Sequence, residues 1–195
     1  MASKKEHRNY QDFIRQFDKG TVKSLYLFQG QEHFLIEEAI AHVKQTLIQS
    51  ETADFNYGKF SGNDVQIGDL LDQVQTIPFL SKWRLIVLTD VHEIATPEQN
   101  RMIPYLSDPN QTTCLIMTAE KLDSRKKFAQ ALKQHAEIVQ FWKLYDRDLP
   151  QWISRRAKLY DCTIPLQAAT YLVDLVGNDL RQLDNELKKI VAYTG

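Results

Sequence analysis

Cysteine and long apolar runs are both scarce in this chain of 195 residues. Cys114 and Cys162 are its two cysteines and lie far apart, which excludes a disulfide framework and predicts a reduced, cytoplasmic protein. The longest aliphatic run is residues 85–88, too short for a membrane-spanning helix. The polar stretch 1–8 has no apolar segment behind it, so no secretion signal is predicted.

No charge of one sign dominates. Lys plus Arg number 24 against 25 Asp plus Glu, so the chain as a whole does not attract nucleic acid or an anionic membrane. The five histidines do not have metal-ligand spacing with one another or with cysteine. Asp90 and Glu93 follow an apolar run, but they are not adjacent, and no metal role is assigned to them. We expect no bound metal.

The apolar residues that are present, 43% of the chain, alternate between short buried runs and helical stripes up to residue 142. Strands that alternate with helices predict an α/β fold with a mostly parallel sheet covered on both faces. Past residue 142 the pattern is helical only, which predicts a second, all-helical unit. The predicted strands are residues 24–28, 55–60, 83–88, 114–118 and 137–141. Capping patterns predict helix starts at 96–99 and 148–151.

The turn after Gly30 is where a fold of this order would bind a phosphate. A phosphate loop needs a second glycine, a lysine and a hydroxyl residue at fixed spacing, and those positions hold Leu35, Ile36 and Glu37. Leucine restricts close approach of the backbone, isoleucine lacks the neutralising charge, and glutamate repels phosphate. An ordinary α/β turn is the alternative interpretation. Both interpretations predict no nucleotide cofactor and no catalytic site here.

One loop could bind a partner. Pro78 prevents the helix before it and the strand after it from continuing through residues 75–81. Phe79 and Leu80 therefore lie near a loop tip, where large apolar side chains either fold beneath the loop or contact a partner. The pattern alone favours folding beneath.

Basic residues form local clusters. In a chain of near-zero net charge a solvated face is the favoured explanation, and contact with nucleic acid is the weaker alternative. The residues considered for that contact are Lys82, Arg84, Arg125, Lys126 and Lys127.

Several segments together resemble the delta subunit of the bacterial DNA polymerase III clamp loader. Their order and spacing across most of the chain carry the resemblance. They are residues 25–30 with the incomplete phosphate loop, residues 77–88, residues 121–123 with the basic residues that follow, and the helical segments 149–153 and 179–189.

The resemblance implies an AAA+ module of the P-loop NTPase class with a degenerate P-loop. Its RecA-like α/β domain would span residues 1–142 and bind the clamp, and a helical lid domain would span 143–195. The family's third domain, a helical collar, would be absent from this chain. Arg181 falls where active relatives have a nucleotide-sensing arginine, and without a phosphate site we interpret it as a surface or packing residue.

The function implied by the resemblance is that of a non-catalytic subunit in DNA replication. Such a subunit binds the sliding clamp, the beta subunit, and helps to open it for loading onto primed DNA. Phe79 and Leu80 fall where the family inserts an apolar pair into the clamp, which reverses the preference for folding beneath. The implied partners are the clamp, the delta prime and tau/gamma subunits, and DNA through the assembled loader. The chain would be enzymatic only as part of the polymerase holoenzyme, a nucleotidyltransferase.

Two alternatives remain open. A divergent nucleotide-dependent ATPase or kinase is favoured only by the α/β order and requires affinity for ATP with magnesium. A DNA-binding module would use the basic clusters and bind duplex DNA in a salt-dependent way.

Overall fold

A computed structural model describes the backbone of residues 8–194 and the side chains of residues 9–193. The described chain divides into two compact units, Met1–Trp142 and Lys143–Gly195. The strands are β1 (Arg8–Asn9), β2 (Leu25–Gly30), β3 (Tyr57–Ser61), β4 (Arg84–Thr89), β5 (Thr113–Ala119) and β6 (Glu137–Phe141). They form one parallel sheet in the order β1-β6-β2-β5-β4-β3.

Helices follow most of the strands. In the first unit they are α1 (Tyr10–Asp18), α2 (His33–Leu47), α3 (Ala53–Asn56), α4 (Ile67–Gln75), α5 (Thr96–Ser107) and α6 (Lys127–His135). The second unit contains α7 (Leu149–Lys158), α8 (Leu166–Val176) and α9 (Leu180–Thr194). Short 3-10 turns lie at Ser50–Thr52 and Asp146–Asp148. The α/β class, the parallel sheet and the helical end predicted from the sequence are confirmed.

The sheet is buried on both faces. In β2, successive side chains point to opposite faces, and Tyr26 and Phe28 pack against the ring of Phe13 from α1 at centroid distances of 5.3 and 5.0 Å. Leu25 and Leu27 join the other core, which includes residues of α4, α5 and α6. Because helices cover both faces, the central strands are continuous apolar runs. In the described part of the chain, no helix is long and apolar enough to cross a membrane.

Three local predictions are wrong. Phe55 and Asn56 are in the one-turn helix α3, not in a strand. Thr96 is the first residue of α5 rather than its cap. The Gln99 side chain does not cap the helix, because its Nε2 donates to the carbonyl of Val91 at 2.8 Å and its Oε1 accepts from no backbone N–H of the described residues. Asp148 forms no side-chain cap, since the preceding 3-10 turn gives it helical backbone angles.

The helical unit contains a buried carboxylate. Asp184 of α9 is 1% exposed. One of its oxygens accepts from the Arg156 guanidinium and, at 2.6 Å, from the Tyr160 hydroxyl, and the other accepts from Lys188 Nζ at 2.8 Å. The buried charge is therefore compensated by Lys188 of α9, by Arg156 of α7 and by the hydroxyl of Tyr160, which follows α7.

Replacing Asp184 with alanine should destabilise the helical unit by about 3 kcal/mol near neutral pH, because one member of a buried ion pair is removed. Burial alone would raise the pKa of Asp184, but hydrogen bonds from Arg156, Lys188 and Tyr160 outweigh it and lower that pKa. The stabilisation is therefore complete above the unfolded-state pKa of about 4 and is lost as the pH falls through the lower folded-state pKa. Urea unfolding at several pH values measures both effects.

A matched control is Glu186→Ala, which removes an exposed ion pair with Lys189 on the same helix. Exposed pairs contribute less than about 1 kcal/mol, so this variant should unfold nearly as the wild type does. A cost for Asp184→Ala that is equally large at pH 7 and well below pH 4 would contradict the role of the Asp184 charge.

Candidate partner-docking surface

The loop between α4 and β4 presents large apolar side chains to solvent. Ile77, Phe79 and Leu80 lie on this loop, and Phe55 of α3 lies beside it. These four side chains, which we call the docking surface, are between 51% and 78% exposed. The rings of Phe55 and Phe79 are in contact, with centroids 5.0 Å apart. The loop does not fold its two predicted contact residues, Phe79 and Leu80, beneath itself.

The side chain of Asn56 holds the middle of the loop. Asn56 is completely buried. Its Oδ1 accepts from the backbone N–H of Phe79 at 2.7 Å, and its Nδ2 donates to the carbonyl of Phe79 at 2.7 Å. The next residue, Leu80, has a φ of +48°, a left-handed conformation that residues with a side chain seldom adopt. Asn56 thus fixes the loop directly before its least favourable residue.

Arg84, the first residue of β4, holds the segment that contains Asn56. Arg84 is 7% exposed, and its guanidinium donates to the carbonyl of Phe55 and to Oε1 of Gln73 in α4. Burial lowers the pKa of Arg84. The predicted contact between Arg84 and nucleic acid is therefore wrong, because the guanidinium is directed into the protein and bonded there.

Two further contacts fix the ends of the loop. Nδ2 of Asn110 donates to the carbonyl of Gln75 at the end of α4, at 3.2 Å. The Ser81 hydroxyl donates to the carbonyl of Trp83 at 3.2 Å, immediately before β4. Together with Asn56, these contacts constrain the loop at its start, its middle and its end.

The turn after Gly30 is closely packed. A Cβ on Gly30 would lie 2.0 Å from the carbonyl oxygen of Phe141, and the φ of Gly30 is +147°. The same carbonyl accepts from the N–H of Glu32 at 3.2 Å. Helix α2 begins at His33, so only two residues separate strand and helix. A phosphate loop needs more residues than that between its strand and its helix.

The predicted phosphate-loop positions all lie within α2. Leu35 and Ile36 are buried, whereas Glu37 is exposed. At the start of α2, Nε2 of His33 lies 3.3 Å from Oε1 of Glu120, which follows β5. A carboxylate thus lies close to the helix start where a phosphate loop would place an anion.

The ends of β4 and β5 lie beside a cleft that is smaller than a typical small-molecule site. Among residues 8–194, no group of three or more His, Cys, Asp or Glu side chains is arranged to hold a metal ion. The backbone N–H of Asp90 donates to the Thr118 hydroxyl at 3.1 Å, and His92 lies beside Glu93. A cleft beside these residues has a volume of about 70 Å³, whereas sites for small molecules usually occupy at least about 300 Å³.

The remaining basic residues do not converge. Lys82 is exposed and precedes β4, whereas residues 125–127 follow β5. Because β4 and β5 are parallel, Lys82 lies at the amino ends of the strands and residues 125–127 lie at their carboxyl ends. Arg125 forms a two-point ion pair with Asp123, with both distances 2.9 Å, and its hydrogen bonds lower the pKa of Asp123 to about 2. Lys126 donates to the Thr96 hydroxyl at 3.2 Å.

Sequence signals for this surface were incomplete. The predicted residues Phe79 and Leu80 lie on it, whereas the predicted strand at residues 55–60 gives no indication that Phe55 and Asn56 contribute. Asn56 lies 23 residues before Phe79, and no local pattern connects the two.

Comparison with known proteins identifies the relatives. A family model described as DNA polymerase III, delta subunit, matches residues 26–141. DNA polymerase III subunit delta of Bacillus subtilis (strain 168) is 28% identical, in an alignment that covers 94% of this chain and 56% of the relative. The solved structure of the Bacillus subtilis DNA clamp loader delta protein matches with a TM-score of 0.78 at 27% identity, over 95% of this chain and 58% of that one.

More distant structures share the fold alone. A DNA polymerase III gamma subunit-related protein of Thermotoga maritima has a TM-score of 0.59 at 12% identity, over 92% of this chain and 57% of that one. A point mutant of RuvB from the same organism has a TM-score of 0.56 at 17% identity, over 91% of this chain and 57% of that one. The chain spans a little over half the length of the delta relatives it matches.

The contact at Gly30 predicts that this glycine is needed for packing. Gly30→Ala should destabilise the protein by at least about 2 kcal/mol, because the added methyl group meets a backbone carbonyl that cannot move aside easily. Gly68→Ala is the control, since a Cβ there meets nothing within 4 Å and the residue lies in α4. It should stabilise the protein by up to about 1 kcal/mol. Thermal unfolding compares them, and an unchanged midpoint for Gly30→Ala would contradict the packing role.

Proposed function

Because the chain belongs to the DNA polymerase III delta-subunit family, we propose that it is a non-catalytic clamp-loader subunit. It binds the sliding clamp and helps to open it for loading onto primed DNA during replication in the cytoplasm. The observation that carries the proposal is the docking surface, where Phe79 and Leu80 are exposed on a loop that the protein constrains at three points.

The docking surface suits insertion into an apolar pocket. Complete burial of Phe79 and Leu80 against a partner would contribute about 2 kcal/mol for each side chain. Binding favours an open clamp only if the open form is bound more tightly than the closed form. A loop of fixed shape supports such discrimination, because it cannot adapt equally well to both forms.

ATP is handled by other subunits in this proposal. The short turn after Gly30, the buried Leu35 and Ile36, and the carboxylate of Glu120 near the start of α2 all oppose phosphate binding. The ATP-dependent steps would then belong to tau/gamma, with delta prime completing the loader. The chain contributes to the polymerase holoenzyme as a component and has no catalytic site of its own.

DNA is reached through the assembled loader in this proposal. Lys82 and Lys127 are exposed and remain candidates for weak contacts with phosphates. Arg125 and Lys126 are already engaged with Asp123 and Thr96. The basic residues lie at two edges of the sheet, which disfavours an independent DNA-binding module.

Replacing Phe79 and Leu80 together with alanine should weaken binding to the cognate sliding clamp at least about 100-fold, because buried aromatic and aliphatic anchors carry much of the energy of an interface. The melting temperature should not fall, since both side chains are exposed. Surface plasmon resonance with immobilised clamp measures the affinity.

The control for this double variant replaces Tyr171 and Leu175 with alanine, because both side chains are similarly exposed and lie on α8. That variant should bind the clamp as the wild type does. Wild-type clamp affinity in a folded Phe79→Ala, Leu80→Ala protein would refute the assignment of the docking surface.

Isothermal calorimetry with ATP and magnesium should give no binding heat, because the turn after Gly30 lacks the residues and the space for a phosphate. A bona fide loader ATPase subunit under the same conditions serves as the positive control. Measurable ATP affinity in this chain would favour the alternative of a divergent ATPase or kinase.

A further inference from the structure

Phe55 enlarges the docking surface from a second element. The family resemblance assigns only Phe79 and Leu80 to insertion into the clamp, and Phe55 lies 24 residues before Phe79 in the sequence. Its ring lies 5.0 Å from the ring of Phe79 with an angle of 48° between the planes, within the range of favourable aromatic pairs. Since Phe55 is 58% exposed, a partner that covers Phe79 would meet this ring as well.

Asn56 can act only through the loop. Its side chain is completely buried, so it does not contact a partner itself. Both the N–H and the carbonyl of Phe79 bond to its one amide group, each at 2.7 Å. Two bonds to one planar group fix the position of Phe79 and also its orientation. They also hold the chain against the unfavourable φ of Leu80.

Arg84 connects the segment that contains Asn56 to the sheet. Its guanidinium bonds the carbonyl of Phe55 and the side chain of Gln73, and Arg84 itself begins the buried strand β4. A continuous series of contacts therefore runs from β4 through Phe55 and Asn56 to Phe79. The two aromatic rings of the docking surface are anchored by the same series.

We propose that Phe55 is a contact residue for the sliding clamp, and that Asn56 and Arg84 are positioning residues that hold the docking surface in its bound shape before the clamp arrives. This inference rests on the proposed function. A surface that is ordered in advance binds more tightly, because the loop does not have to lose conformational freedom during association.

The principal test is Asn56→Ala. Clamp affinity should fall about tenfold, since the loop would then become ordered only on binding, although every apolar side chain of the docking surface is retained. Hydrogen exchange at the Phe79 amide should accelerate at least about tenfold, whereas exchange within β4 should not change. Asn63→Ala is the control, because Asn63 is exposed and bonds to Ser61 within its own surface turn.

Phe55→Ala separates contact from positioning. Clamp affinity should fall about fivefold, because an aromatic contact is lost. The Phe79 amide should keep its protection from exchange, because the Asn56 side chain is unchanged. Both variants should therefore weaken clamp binding, but only Asn56→Ala should accelerate hydrogen exchange at the Phe79 amide.

Asn56→Asp keeps the proposal testable if Asn56→Ala does not fold. A protonated carboxyl group can accept from the Phe79 N–H and donate to the Phe79 carbonyl, whereas an ionised one repels that carbonyl. Burial raises the pKa of a carboxyl group, so the clamp affinity of this variant, relative to the wild type, should rise as the pH falls from about 8 to about 5. A pH-independent ratio would count against positioning through these two bonds.

Each failure has its own signature. Wild-type affinity and exchange in a folded Asn56→Ala protein overturn the positioning role, and wild-type affinity in Phe55→Ala overturns the contact role. In both cases the Phe79→Ala, Leu80→Ala variant still loses the clamp. If the wild-type chain does not bind the clamp, or if that double variant binds normally, the proposed function itself fails.

Discussion

In a parallel sheet all strands run in the same direction. Their amino ends therefore lie along one side of the sheet, here called the amino edge, and their carboxyl ends lie along the opposite side, the carboxyl edge. In this chain the turn after Gly30 and the acidic residues that follow β4 and β5 lie at the carboxyl edge. The docking surface precedes β3 and β4 and therefore lies at the amino edge. The close contact between Gly30 and Phe141 at one edge does not involve the loop at the other. The packing of the turn after Gly30 and the shape of the loop before β4 therefore depend on different contacts.

The two units are stabilised by different means. The core of the first unit is formed by continuous apolar strands and aromatic rings such as Phe13 and Phe28. The smaller helical unit has less apolar surface to bury, and the carboxylate of Asp184 lies within it, compensated by Arg156 and Lys188. Helix α8 contributes few buried side chains, chiefly Ala169 and Leu172.

Sequence patterns predicted the sheet because apolar runs such as that of β4 reflect burial directly. The absence of a phosphate site at Leu35 and Ile36 stays a prediction, and the structure adds that both side chains are buried in α2. Sequence patterns failed for Arg84, since the spacing of charges along a chain does not reveal whether a guanidinium points outward or into the protein. They failed for Phe55 because a β-like composition was overridden by tertiary contacts. Asn56 was missed because its role depends on a residue distant in the sequence.

The bonds from Asn56 go to the backbone of Phe79 and not to its side chain. Any residue other than proline could offer the same N–H and carbonyl at this position. The identity of the side chain can therefore change over evolution without loss of the loop's shape. The bonds that shape the loop are therefore separate from the side chain that residue 79 presents to solvent.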